Sequence, residues 1–357
     1  MPPRLFVVVA ALRLAASVYA ASADPVPPPA ASDDWSGLER TTITKTPERD
    51  ELTLELPAVD LPAGTVVDQA ASVGEFPVNG SIYALHAELV DETGRHLPTG
   101  LLHHMNVMDP SERELFLPIS RRILASGMET GEIRFPWLLF GSPMRAGQRI
   151  LANAMVHNPT TVDYHGVRVR LVLSYVPDHR PWPFFSVIPW QLDVAFPVGD
   201  KSFDLPAGRS ERSYEGSPAV PGKLVVIGGH MHEYGKTIEF WDATTGKLLW
   251  HGEPAPAPPG QPSAVPMGRL YGLTRIGLRI TPTHRYRVRV LYDNPTGRTI
   301  PNGGMGVTGG LFMPDRKATW PATHQADSLY QRDLRHFMGP VGRSAVAAPM
   351  SHMHMEP

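Results

Sequence analysis

The sequence predicts an all-β chain built as two tandem antiparallel β-sandwiches of jelly-roll-like form. Three observations lead there. From about residue 37 to 320, β-rich runs such as 81–90, 149–157, 167–176, 223–232 and 285–292 are separated by Gly, Pro, Asn and Asp clusters. No long amphipathic helical pattern interrupts them, and 38 prolines would break most helices in any case. The order of short motifs also repeats. His104-Met105, then His157-Asn158-Pro159-Thr160, then Pro177-Asp178 is followed by His230-Met231, then Asp293-Asn294-Pro295-Thr296, then Pro314-Asp315.

At the N-terminus, Arg4 and the apolar run Leu5–Ala20 precede Ala21-Ser22-Ala23, the pattern of a signal peptide cleaved before Asp24. Residues 1–23 are therefore expected to be a signal peptide, and the mature chain to be periplasmic or secreted. Its h-region is too short and interrupted for a membrane span, and no later run approaches one. Residues 24–36, rich in Pro, Ala and Ser, read as a flexible leader. The first sandwich is expected over 37–198 and the second over 199–320. The Gly-, Pro- and Ser-rich stretch 198–222 lies at their boundary. Residues 253–266 read as a Pro-rich surface loop, and 321–357 as a patternless tail ending Ser351-His352-Met353-His354-Met355.

Composition narrows the chemistry. A net charge of -2 gives no global attraction to nucleic acid or anionic membrane. Arg285, Arg287 and Arg289 alternate with Tyr286, Val288 and Val290, the period of a strand with one wet face rather than of a basic patch. Cysteine is absent, so an exported chain has no disulfide bracing, and any metal site must use His, Met, carboxylate or backbone ligands. There is no G-x-S-x-G and no Walker-type phosphate loop.

Histidine and methionine carry the remaining signal. In a strand, His230 and His232 share one face and Met231 takes the other, so both imidazoles can meet one ion. Gly228 and Gly229 just before them admit close approach of a backbone or a ligand. His103 and His104 are adjacent, so both reach one ion only at a bulge or a strand end. Met155 and His157 share the face of their strand opposite Ala152, Ala154 and Val156, and either could complete a site begun by His103 and His104. Met305 sits among glycines with little local core to fill, and its thioether is a soft donor suited to Cu(I).

Taken in order, these motifs resemble the copper type II, ascorbate-dependent monooxygenases that include peptidylglycine hydroxylating monooxygenase and dopamine beta-monooxygenase. The resemblance spans about 95 to 313. It rests on His103-His104-Met105, His157-Asn158-Pro159, His230-x-His232 with Gly235-Lys236, and Arg298-Thr299 followed by Gly303-Gly304-Met305. It implies two coppers, one per domain. His103, His104 and His157 would hold an electron-transfer ion, and His230, His232 and Met305 an oxygen-activating one. Partners would be a small-molecule substrate, dioxygen and an external electron donor, with no nucleic acid. Three departures stand out. Anchoring on the Asn-Pro turn puts the family's third ligand at Met155 instead of His157. Gly228 occupies the position where peptide-hydroxylating members carry an Arg for the substrate carboxylate. The disulfides of the animal members have no counterpart. An exported copper-handling protein without catalysis is the alternative, and the His-Met tail would suit it. A cupin is disfavoured because Glu233 and Glu239 miss that motif's spacing. Zinc hydrolysis is disfavoured because Met305 has no use on zinc.

Overall fold

The computed structural model describes residues 35–339 apart from 129, 196–200, 257–262, 273 and 275, together with the backbone of 345–347. The expected signal peptide, most of the leader, part of the Pro-rich loop and the His-Met tail lie outside the described residues. The remainder is strand almost throughout, as expected.

The first half forms two sheets around one core. One runs Thr42–Lys45, Glu51–Glu55, Tyr164–Pro177, Gly80–Val90, Phe140–Met144 and Phe185–Ser186. The other contains Val66–Asp68, Arg149–His157, Leu102–Arg113 and Ser120–Gly127. Period-2 patterning explains the pairing. Leu52, Leu54, Leu89, Leu171 and Leu173 point inward from the first sheet, and Met105, Val107, Ala152, Ala154 and Val156 from the second. Each fully buried Leu, Val or Met of this kind contributes about 1.5–3 kcal/mol relative to exposure.

The second half repeats the scheme. Ile188–Asp193, Gly306–Pro314, Gly222–Met231 and Ser263–Arg269 form one sheet; Gly208–Gly216, Tyr286–Asn294, Gly235–Asp242 and Lys247–Gly252 form the other. Tyr286, Val288, Val290 and Tyr292 are buried, whereas the intervening Arg287, Arg289, Leu291 and Asp293 are partly exposed. Arg285 and Arg287 bind Glu215, and Arg289 binds Glu211 and Glu239, so the arginine row serves its own sheet.

The internal repeat recurs in three dimensions. Asn158 and Asn294 are both fully buried and hold the same cage of hydrogen bonds. Asn158 Nδ2 donates to the carbonyls of Leu61 (3.1 Å) and Val162 (2.8 Å), while its Oδ1 accepts from Thr160 N (3.0 Å) and Oγ1 (2.7 Å). Asn294 Nδ2 donates to the carbonyls of Leu205, Pro206 and Arg298, while its Oδ1 accepts from Thr296 N (3.1 Å) and Oγ1 (2.7 Å). Each cage pins the turn after a long strand.

Two features lie outside the expected bounds of the halves. The change of sheet falls near residue 187, ahead of the Gly-, Pro- and Ser-rich stretch 198–222. Ile188–Asp193 already pairs with Gly306–Pro314, because the apolar Ile188, Trp190 and Leu192 find their partners in the second core. Leu115, Phe116, Leu117 and Ile119 also cross into that core, so the two sandwiches share apolar surface. The tail is not patternless either. Ser328–Met338 is a helix whose N-terminus is capped by Asp327, with Arg335 and His336 in the last turn. Its Tyr330, Leu334 and Phe337 pack on Met108, Leu151 and Val73 of the first domain's sheet. Asp333 forms a two-point ion pair with Arg122 at 2.5 and 2.6 Å. Ala345–Ala347 then pairs with Val66–Asp68.

Candidate metal centres

The first His pair sits on a bulge. Met155 is opposite His104, but the next residue, Val156, is opposite Leu102, leaving His103 as the extra residue. Leu102 and Met105 both face the core, and His103 and His104 between them are both turned partly toward solvent. A regular pleat would send one of the two inward. The ring centroids are 5.2 Å apart with planes at 61°. A direct cross-strand neighbour lies about 4.5–5.5 Å away at Cβ, so Met155 is abreast of His104. Asp68 lies opposite Met155 on its other side, giving the row Asp68, Met155, His104. Burial raises the Asp68 carboxyl above its ordinary range, and the charge of His336 opposes that shift.

His157 is on the same strand face as Met155, two positions on, and its Cα pairs with Val66. Burial lowers its pKa, which favours the neutral imidazole that ligates metals. Among the described residues no three His, Asp or Glu side chains gather into a metal-binding group. The structure therefore brings His103 and His104 together with Met155 across from them, and does not add His157 as a third clustered imidazole.

In the second half, His230 pairs with Val307 and Met231 with Gly306, while His232 lies just past the strand end. Met231 is buried in the core and both histidines lie on the other face, as alternation requires. Their centroids are 5.6 Å apart with planes at 81°. Met305 links the strands Ile300–Gly304 and Gly306–Pro314. Because Gly306 pairs with Met231, Met305 comes abreast of His232. The glycines here admit neighbouring protein rather than a ligand. A Cβ on Gly229 would lie 2.7 Å from the Val307 carbonyl, and one on Gly303 2.6 Å from Ile300 Cγ2. Gly228 packs on Met267, and its carbonyl accepts from Thr308 Oγ1 at 2.9 Å.

Two residues outside the sequence motifs border this histidine pair. Tyr292 is buried in the facing sheet, and its hydroxyl accepts from His232 N (3.2 Å) and Met305 N (3.1 Å) while donating to the Met305 carbonyl. Burial pushes its pKa up to about 12. Asp193 lies one strand beyond Val307 in the row Asp193, Val307, His230. Burial pushes its carboxyl up to about 6, against the lowering influence of Lys201, a hydrogen bond from Ala195 N, and His230. Its Oδ1 accepts that bond at 2.7 Å, and Lys201 Nζ is 3.9 Å from Oδ2, which accepts no hydrogen bond among the described residues. Strand alternation marks Tyr292 as inward-facing, and a buried phenol needs a partner, but no sequence pattern says which.

The spacing of each imidazole pair is compatible with a shared ion. An imidazole nitrogen binds at about 2.0–2.1 Å, placing a ring centroid about 3.2 Å from the ion, so centroids 5.2 and 5.6 Å apart subtend about 110° and 120° at a shared ion. Those angles suit three- or four-coordination, in which a thioether would be a soft further donor.

No protein-family model matches the chain, and no curated protein matches it. Among solved structures it is similar to N-glycanase F (PNGase F), at 10% identity and TM-score 0.37, over 75% of this chain and 96% of that one. It is also similar to PNGF-II, at 10% identity and TM-score 0.31, over 76% of this chain and 63% of that one. A third likeness is to the cowpea mosaic virus top component, at 10% identity and TM-score 0.31, over 85% and 98%. At these identities no site residue transfers, and the metal reading rests on this chain's own side chains. No described helix is long and apolar enough to cross a membrane.

Proposed function

We propose that this chain is a copper-dependent monooxygenase that hydroxylates a C–H bond of a small substrate with dioxygen and an external reductant. The observation that carries the reading is the twofold occurrence of one arrangement. In each half, two imidazoles stand 5.2 or 5.6 Å apart and a methionine lies alongside. Bound copper would supply the redox chemistry. The chain's own residues supply the rest. The bulge at His103 turns two adjacent imidazoles to one side of the first sheet. The strand end at His232 presents the second pair, and Met305 offers a soft donor that favours the reduced ion. All four imidazoles are partly buried, which limits the water around whatever they hold. Gly228 in place of an Arg argues for a substrate without a carboxylate to anchor at that point.

The test is oxygen uptake by copper-loaded protein with ascorbate across a panel of small C–H substrates. The reading expects uptake that depends on one of them and is lost in both His103→Ala and His230→Ala. Copper binding with no substrate-dependent uptake across the panel would instead favour an exported copper-handling protein.

A further inference from the structure

Tyr292 projects inward from Tyr286–Asn294 with 2% of its surface exposed, its ring edge-on to Phe203 at 5.9 Å. A phenol has one proton to donate and two lone pairs, and here all are used. The lone pairs take the amide protons of His232 and Met305, and the proton goes to the Met305 carbonyl. One oxygen atom thereby joins two chain segments that run side by side without a ladder bond at this point, since His232 lies past its strand end and Met305 between two strands.

The local backbone gives Met305 little restraint of its own. Gly303 and Gly304 precede it and Gly306 follows, and Asn302 has φ 51°. Glycine lowers the cost of alternative conformations on both sides. Phe203 fills the space beside Gly304, and Val290 that beside Gly306, so the surroundings fix the glycines but make no hydrogen bond to Met305. The bonds that set its peptide groups against His232 come from Tyr292.

We infer that Tyr292 is a positioning residue for the second metal centre, holding the Met305 backbone against that of His232 so that the thioether is presented to the imidazole pair. The inference rests on the copper reading above. It assigns the soft ligand's placement to a hydroxyl in the facing sheet, outside the ligand set. Losing the hydroxyl removes both bonds to the Met305 peptide groups and one bond from His232 N, while His230 stays paired with Val307 in its strand. The effect should therefore fall on the reduced ion, which needs sulfur, more than on the oxidised ion, which imidazole alone holds well.

Tyr292→Phe keeps the ring and removes only the hydroxyl. Full-length protein would be titrated with Cu(I) and with Cu(II), and the copper–sulfur distance read by X-ray absorption. Cu(I) affinity at the His230-dependent site should fall on the order of tenfold, the range seen when outer-layer partners are lost. Cu(II) affinity should stay nearly constant, and the copper–sulfur signal should weaken. Phe240→Leu, which loosens the same core away from the Met305 glycines and keeps the hydroxyl, should leave the ratio of the two affinities unchanged and serves as the control for packing. Equal losses for both oxidation states, or the same change of ratio in Phe240→Leu, would make Tyr292 a packing residue only. A Tyr292→Phe protein that loads and scatters like its parent would overturn the positioning role alone. A parent protein with no His230-dependent copper would overturn the centre itself.

Discussion

The buried asparagines at the two equivalent turns should contribute equally to stability. Asn158→Ala removes four side-chain hydrogen bonds, to the Leu61 and Val162 carbonyls and from the Thr160 amide and hydroxyl. A net value of about 1 kcal/mol per bond, with buried carbonyls left unpaired, gives a loss of about 3–4 kcal/mol. Asn294→Ala removes the matching set at Thr296, Leu205, Pro206 and Arg298 and should cost about the same. For roughly 300 residues unfolding together, that corresponds to a fall in melting temperature of about 5–6 °C. Leu115–Ile119 from the first half pack in the second core, so both variants should still melt in one transition. Asn158 lies three residues after Met155 and Asn294 two residues after Tyr292, so each substitution should also loosen the proposed metal centre of its own half. Calorimetry and urea unfolding measure the loss, and copper retention measures the coupling. Either variant within about 1 kcal/mol of the parent would refute the cage as an energetic unit.

Three further expectations follow from the same geometry. Arg122 and Asp333 are 14% and 3% exposed, so Asp333→Ala leaves a largely buried guanidinium without its carboxylate, with only the Ser120 carbonyl among the described residues still accepting from it, and should cost about 3 kcal/mol, with Arg122→Leu in the same protein recovering much of it in urea unfolding. Asp193 has its carboxyl pushed up to about 6 from 3.8, so between those values the metal-free native state holds more protons than the unfolded one. Its favourable contribution is complete below about pH 4 and lost by about pH 6, a decline of up to about 3 kcal/mol that Asp193→Asn should flatten in stability–pH curves. In the first centre, the register places Met155 opposite His104, so Met155→Leu should weaken Cu(I) binding there more than His157→Ala. The reverse order in Cu(I) titrations would restore three imidazoles.

What could be read from the sequence was whatever obeys a fixed period. Alternation of two gave the strands, the wet arginine face of Tyr286–Asn294, and the common side of His230 and His232. The Asn-Pro-Thr repeat was visible because both copies need the same side-chain cage. The bulge at His103 was identifiable only as a condition, because Leu102 and Met105 stand three apart, a spacing that also fits a helix. Pairing partners were beyond reach. Ile188–Asp193 precedes the Gly- and Pro-rich stretch that marks a boundary by composition, yet it pairs past that boundary. The helix Ser328–Met338 is short and rich in charge, so its cap at Asp327 and its apolar residues Tyr330, Leu334 and Phe337 were lost in a proline-rich chain. Tyr292 and Asp193 act through hydrogen bonding and burial, which no spacing encodes.

Copper content after reconstitution and removal of loosely held ions tests the central claim most directly, measured on the parent protein and on its His103→Ala/His104→Ala and His230→Ala/His232→Ala variants. Two equivalents are expected in the parent and one in each variant. Equal copper in all three proteins, or none in the parent, would contradict the two-centre claim.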